Sequence, residues 1–400
     1  MANLFFFTAS YPFENSESFI EEEIKYLSMS FDHIEIVPLV GRPPQTRVVP
    51  NNCIVHNPII TSRFLQYTKG LWNWQSFKIF IADFFKSKVY RNKLAIKTWF
   101  IAYVQSCNIL KSKSIIDIFK RINKSDVCYF YWGKGCNVLP AFFPDKAHYV
   151  SRFHGEWDLW EETSGGYGPL RGIIAARLDS AVFISELGRN YFTKRYPFCP
   201  TALFPLGSPD QGICSMKRNG SDVIEVVSCS TIYPLKRVDL IYDSLRVLVN
   251  KNKVHWTHIG GGALMENLKS RIEDNPIPEL DVSLLGNKSH TEVLEIYKTK
   301  YFDIFINLST NEGVPVSIME AISFGIPVVA TDVGATSEVV QPIVGMLVNR
   351  DVKPNEVSNA IEMVLSRKDE YQPRAFWEKN YSAEANYKAF SEYLISISKQ

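Results

Sequence analysis

The sequence predicts an α/β chain of two doubly wound, Rossmann-like lobes, and three observations carry that prediction. Short apolar runs alternate with longer amphipathic ones, the signature of parallel sheets layered with helices. A stretch over 204–220, punctuated by Pro205, Gly207, Pro209, Gly212 and Gly220, interrupts the alternation near the middle. The 400 residues then leave about 200 on either side, enough for a full core apiece. Apolar residues at 46% and charged residues at 22% exclude disordered, collagen-like and coiled-coil chains.

In chain order, residues 4–7 form a first strand, followed by a loop over 8–16, a helix over 18–27 and a second strand over 34–39. Between 63 and 124 the pattern turns to long helices rich in Trp, Phe, Lys and Arg. Strands resume at 127–132, 149–153 and 181–185. Beyond the break, strands at 224–228, 256–260, 282–285, 304–308 and 327–331 alternate with helices over 237–249, 291–298, 316–324 and 355–365. The expected division is a lobe over 1–205, a second over 206–378 and a terminal helical segment over 379–400. Two such lobes hold a ligand in the crevice at the carboxyl ends of their strands.

The formal charge of +2 gives no global argument for nucleic acid. It is nevertheless a cancellation, because residues 1–205 hold 24 basic and 17 acidic side chains against 20 and 25 in the remainder. Residues 63–124 alone carry 13 Lys/Arg against Asp83 and Asp117, interleaved with Trp72, Trp74, Phe77, Phe80, Phe84, Phe85, Trp99 and Phe100. Such helices either lie on an anionic membrane or pack their aromatics inward beneath a solvated basic face. No nucleic-acid motif accompanies them. The seven Cys form no C-x-x-C pair and read as reduced thiols. The first 17 residues lack a basic n-region, and no uncharged apolar run approaches the roughly 18 residues of a membrane-spanning helix. A cytoplasmic protein is expected, peripheral at the inner face of the cell membrane if the basic segment docks there.

The chemistry concentrates in 309–338, STNEGVPVSIMEAISFGIPVVATDVGATSE. Asn311, Glu312 and Gly313 leave a strand, and Pro315 suits the first turn of a helix, where its missing N–H is not needed. The amides of Gly313, Val314, Val316 and Ser317 would then surround a helix N-terminus, a place for phosphate. Glu312 and Glu320 are eight positions apart, about 12 Å along a helix. A retaining glycosidase pair needs about 5–5.5 Å and an inverting pair about 6.5–9.5 Å. The two carboxylates are better spaced to grip different parts of one long ligand. Elsewhere, Gly260, Gly261 and Gly262 follow a strand and allow close backbone approach, although a plain strand–helix turn explains them too. Gly286 follows the next strand, and Ser16, Glu17 and Ser18 either contact a ligand or cap the helix after them. The chain has no D-x-D triplet and no His/Cys/Asp cluster with ligand spacing, so no metal is expected.

The pattern E-G-x-P-x-x-x-x-E-A-x-x-x-G-x-P-V-V-A-T-x-x-G in that segment resembles the family 4 glycosyltransferases, retaining enzymes of the two-lobed GT-B fold. STIYPLKRVDL over 230–240 is similar to the family segment whose basic pair binds the nucleotide diphosphate. SRFHGEWDLW over 151–160 resembles the family's His-Gly loop, residues 11–23 its first-strand loop, and residues 377–394 its C-terminal helical crossing. The resemblance implies that Glu320 holds the donor ribose and Glu312 the donor sugar. It implies that Lys236 neutralises the diphosphate, that His154 meets the donor sugar, and that Gly286 lies beside the base. The sequence departs from the family at Thr231, where an arginine is usual, and Arg237 then offers itself as the second charge.

The implied function is a metal-independent, retaining transfer from a UDP- or GDP-sugar to a hydroxyl of a growing saccharide, lipid-linked or free, with no cofactor. The alternatives are another GT-B enzyme, such as a nucleotide-sugar epimerase or a phosphorylase, and a catalytically impaired nucleotide-sugar-binding scaffold.

Overall fold

The computed structural model describes residues 3–14, 17, 19–62, 72–155, 158–216 and 222–400. Ser16, Ser18 and the start of the basic segment, 63–71, lie outside the described residues. The chain divides into two compact units, Met1–Pro205 with Glu384–Gln400, and Leu206–Ala383.

The first unit is built on a parallel sheet ordered β3-β2-β1-β4-β5-β6-β7. Its strands are β1 Leu4–Thr8, β2 Ile34–Pro38, β3 Cys53–Val55, β4 Val127–Phe130, β5 His148–Phe153, β6 Ser180–Phe183 and β7 Thr201–Leu203. β1 reads LFFFT and β4 VCYF, both buried throughout, the continuous apolar run of a strand covered on both faces. Residues from the helix Ala383–Ile397, among them Phe390, Leu394 and Ile397, complete the core on one face with Leu4, Phe6 and Ile34. Beneath that helix the fully buried Arg152 pairs with Glu23 and lies 4.1 Å from the Phe390 ring.

The second unit carries a parallel sheet ordered β10-β9-β8-β11-β12-β13. These strands are β8 Val223–Cys229, β9 Lys253–Ile259, β10 Leu280–Leu284, β11 Ile304–Asn307, β12 Val328–Thr331 and β13 Gly345–Val348. Helices Val238–Leu248 and Pro354–Ser366 cover one face through Ile241, Leu245, Val357 and Ile361. In both units the first strand has the second on one side and the fourth on the other, so the order in which parallel strands are added switches sides there. That switch point is where such sheets open a crevice at the strands' carboxyl ends.

Three strands differ from the sequence expectation, β3, β7 and β13, none of which the apolar runs had marked. Each is an edge strand of three or four residues, partly exposed and too short to show periodicity. The terminal crossing begins at Glu384 rather than at 379. Residues up to 383 are tied to the second unit by Trp377 Nε1, which donates to Ser208 Oγ at 2.7 Å, and by Ser208 N, which donates to the Tyr381 carbonyl at 3.0 Å.

Candidate active site

The second unit's switch point gathers the loops that follow β8 and β11. After β8 the chain runs through Ser230–Tyr233 into a 3-10 turn, Pro234–Lys236, and Arg237 adopts a left-handed conformation (φ 46°) before the helix Val238–Leu248. After β11 it runs through Leu308–Pro315 into the helix Val316–Ser323. Thr310 N donates to the Leu235 carbonyl at 2.8 Å, joining the two loops side by side.

On this frame Lys236 Nζ donates to Glu312 Oε1 at 2.6 Å. The same oxygen accepts from Ser309 Oγ at 2.6 Å and Asn307 Nδ2 at 3.2 Å. Glu312 is thus held by one oxygen, and Oε2 makes no hydrogen bond among the described residues. The turn at Gly334 supports the loop from beneath. With φ 54°, a Cβ there would stand 1.8 Å from the Glu312 carbonyl, and Ala335 N donates to the Gly313 carbonyl at 3.1 Å.

Pro315 is the N-cap residue of its helix, one position earlier than the sequence suggested, and the first turn opens with Val316 and Ser317. First-turn amides have no acceptor within their own helix. With Gly313 and Val314 ahead of them, they form the positive end of a helix beside Lys236 and Glu312. Glu320, one turn further on, is 7% exposed. Its Oε1 lies 2.9 Å from His290 Nε2, and its Oε2 has no partner among the described residues. Burial of a carboxylate without a partner is costly, and His290 supplies one. Burial first, with Glu320 adding to it, pushes the Cys229 thiol up to about 12 and keeps it protonated.

Arg237, the expected second charge, directs its guanidinium at backbone carbonyls. Its Nε donates to the Leu308 carbonyl at 2.6 Å and its Nη1 to the Arg350 carbonyl at 2.6 Å, with Nη2 3.4 Å from the Ser309 carbonyl. The left-handed backbone turns the side chain toward these carbonyls, where it holds the post-β11 loop. Thr231, at the usual arginine position, is exposed.

The glycines serve this loop rather than an open turn. A Cβ on Gly260 (φ 137°) would meet the Ser230 carbonyl at 2.0 Å, and Gly261 O accepts from Ile232 N at 2.8 Å. Gly261 N donates to Asn287 Oδ1 at 2.9 Å, and Gly260 N to the Gly286 carbonyl at 2.9 Å. Beneath them, His258 Nε2 lies 3.1 Å from the Ser230 carbonyl and its Nδ1 2.8 Å from Ser228 Oγ. Burial pushes the His258 imidazole down to about 4, so it is neutral. Gly286 has φ 67° and open space around it.

In the first unit, His154 follows β5 with its ring 4.6 Å from that of Tyr131 and 4.4 Å from that of Trp132. Its Nδ1 is 3.5 Å from Asp158 Oδ2, beyond a formed hydrogen bond, and Nε2 is buried without a partner among the described residues. Asp158 also accepts from the amides of His154, Gly155 and Gly133 at 2.9–3.1 Å. Burial raises the Asp158 carboxyl, but His154 and these amides outweigh it and hold the group below the usual carboxylate range.

Glu17 does not cap the helix after it. Buried and left-handed (φ 63°), it accepts from the amides of Ala9 at 3.1 Å, Ser10 at 2.6 Å and Tyr11 at 2.7 Å, and from Trp132 Nε1. Its carboxylate closes the loop after β1 from within.

Sequence reasoning missed His290, Asn307 and Ser309. Asn307 and Ser309 lie within five residues of Glu312 at a strand end, which was a readable signal. His290 meets Glu320 across 30 positions, and only its place at a helix start after a strand could have singled it out.

Residues 217–381 match the family model described as "Glycosyl transferases group 1". A phosphatidylinositol N-acetylglucosaminyltransferase component from Arabidopsis thaliana is 26% identical over 195 residues, 48% of this chain and 42% of that protein. The chain thus matches less than half the length of this relative. The lipopolysaccharide outer core galactosyltransferase WaaB superposes with a TM-score of 0.68 at 15% identity, covering 100% of both chains. HepE of Anabaena, in a complex with UDP, superposes at 0.65 with 14% identity over 99% of this chain and 100% of its own. The fold is that of the GT-B glycosyltransferases.

Proposed function

We propose that the protein is a retaining glycosyltransferase that moves a sugar from a UDP- or GDP-sugar to a hydroxyl of a growing, lipid-linked saccharide in surface polysaccharide assembly. The observation that carries this reading is the meeting of Lys236, Glu312 and the N-terminus of Val316–Ser323 at one switch point. A nucleotide diphosphate brings charge to Lys236 and to the open amides, and its sugar and ribose bring hydroxyls to the free oxygens of Glu312 and Glu320. The UDP bound by HepE and the lipopolysaccharide named for WaaB support a uridine donor and a lipid-linked acceptor.

In the reaction, the bond from the anomeric carbon to the diphosphate breaks as the acceptor oxygen bonds the same face. The acceptor proton passes to the departing phosphate oxygen. Lys236, preorganised by Glu312, stabilises the charge that develops on that phosphate, and the helix amides add to it without any metal being required. By family resemblance His154 meets the donor sugar. Its fixed ring and unused Nε2 suit a hydroxyl contact.

Titration calorimetry with UDP and GDP tests the site. Lys236→Ala and Glu320→Ala are each expected to weaken the preferred nucleotide by about ten- to hundredfold, the worth of a charge-assisted hydrogen bond. Unchanged affinity in both variants would falsify the assignment. A second reading, a nucleotide-sugar-binding protein of low turnover, is favoured by Arg237, whose guanidinium is committed to backbone carbonyls. Nucleotide release that depends on an added acceptor separates transfer from it and from epimerisation.

A further inference from the structure

The basic aromatic segment is divided by the structure into inward and outward halves. Helices Trp74–Lys86 and Lys93–Lys111 form a hairpin joined by a short 3-10 turn, Val89–Arg91. Phe80, Trp99 and Tyr103 pack between the helices, with Trp99 Nε1 donating to the Phe80 carbonyl at 2.9 Å. The turn is fixed as well. Asn92 Oδ1 accepts from Leu94 N at 2.8 Å, and the buried Asp83 accepts from Tyr167 Oη at 2.5 Å and from Ser87 Oγ at 2.9 Å.

Around this fixed tip, Phe85, Tyr90, Leu94, Ile96 and Phe100 point to solvent, Phe85 being 63% exposed. Lys78, Lys86, Lys88, Arg91, Lys93 and Lys97 are exposed among them and form no ion pair among the described residues. The one acid between 72 and 111 is Asp83, which is buried and already bound. The hairpin therefore combines exposed apolar side chains with cations that form no ion pair among the described residues, although Lys86 and the acid Glu161 line one hollow.

We propose that this hairpin docks the protein on an anionic lipid bilayer, with Phe85, Leu94 and Phe100 in the interface and the lysines at headgroup level. Unmatched cations repel one another in solution and are relieved by an anionic surface. The apolar groups between them need a medium that accepts side chains of mixed shape, which acyl chains provide. A second copy of the chain is disfavoured, because the same cationic face would meet itself. Since packing already fixes the hairpin, docking requires no folding step.

Co-sedimentation of the full chain with phosphatidylcholine vesicles, alone and mixed with phosphatidylglycerol, tests the proposal. Binding is expected to the mixed vesicles only and to weaken with added salt. It should fall about a hundredfold in the combined Lys86→Glu, Lys93→Glu, Lys97→Glu variant and about tenfold in Phe85→Ser, Phe100→Ser. All five side chains are exposed, and unchanged thermal unfolding of both variants confirms that only the surface was altered. Equal binding to neutral vesicles, or wild-type binding retained by both variants, would overturn the proposal. So would association with duplex DNA or with itself in place of vesicles.

Discussion

Each unit has a loop that leaves its first strand at a switch point, and the two loops handle their polar groups in opposite ways. After β1, the amides of Ala9, Ser10 and Tyr11 converge on the carboxylate of Glu17, which also accepts from Trp132 Nε1. After β8, the loop ends in Lys236, which faces a carboxylate with a second oxygen to spare and lies beside a helix N-terminus. The same topology thus produces one loop closed by its own anion and another whose Lys236–Glu312 pair leaves a carboxylate oxygen without a hydrogen bond among the described residues. Parallel-sheet connectivity supplies the opening, and a few side chains decide whether its hydrogen-bonding capacity is spent internally.

The sealed loop is the place for the largest expected change. Glu17→Ala leaves three backbone amides without their acceptor, each worth about 1–3 kcal/mol when buried and unpaired. Allowing for water entry, the first unit should lose about 3 kcal/mol of stability in urea unfolding, while nucleotide affinity at the second unit is unchanged. Inorganic phosphate should recover part of the loss in the variant and do nothing for the wild type. A variant as stable as the wild type would show that the carboxylate does not hold this loop.

The open loop rests on a neutral histidine, which makes it sensitive to acid. The His258 imidazole is pushed down to about 4 from an ordinary 6.5, so the unfolded chain binds the proton more readily than the folded one. Its contribution is complete above 6.5 and is lost as the pH falls toward 4. Between pH 6.5 and about pH 5 the second unit should lose about 2 kcal/mol. His258→Asn should be less stable at neutral pH but flatten that slope. A slope identical in the variant would exclude His258 as its source.

The same contrast separates what was legible in the sequence from what was not. The buried strands and the Glu312–Ser317 turn were readable, because continuous apolar runs and a Gly-Val-Pro step before a helix have local causes. Arg237 was not, since its direction follows from one left-handed residue ahead of the helix, where helical spacing does not yet apply. Glu17 was misread for a related reason, its positive φ folding the side chain back over residues 9–11. Gly260 and Gly261 looked like a free turn, and their true constraint is the backbone of Ser230 and Ile232, some 30 positions earlier. The edge strands β3, β7 and β13 are too short for any period to appear.

The smallest expected effect lies at the far end of the open site and tests how finely it is preset. His290 follows the N-cap Ser289 of the helix His290–Thr299, so a capping box with Glu292 fixes the backbone that carries it toward Glu320. His290→Ala removes the partner of Glu320 Oε1 and leaves a carboxylate that is almost wholly buried free to turn. If Glu320 grips the donor, the KM for nucleotide-sugar should rise about tenfold, the low end of what a hydrogen bond to a charged group is worth. The kcat should change little on the proposed reading, which gives the departing diphosphate to Lys236. His290→Gln, whose amide can donate to the same oxygen, should recover most of the loss, which a purely structural histidine would not predict. Equal KM values in wild type and His290→Ala would mean that burial alone orients Glu320. The open loop would then be preorganised around Lys236 and Glu312 and not around Glu320.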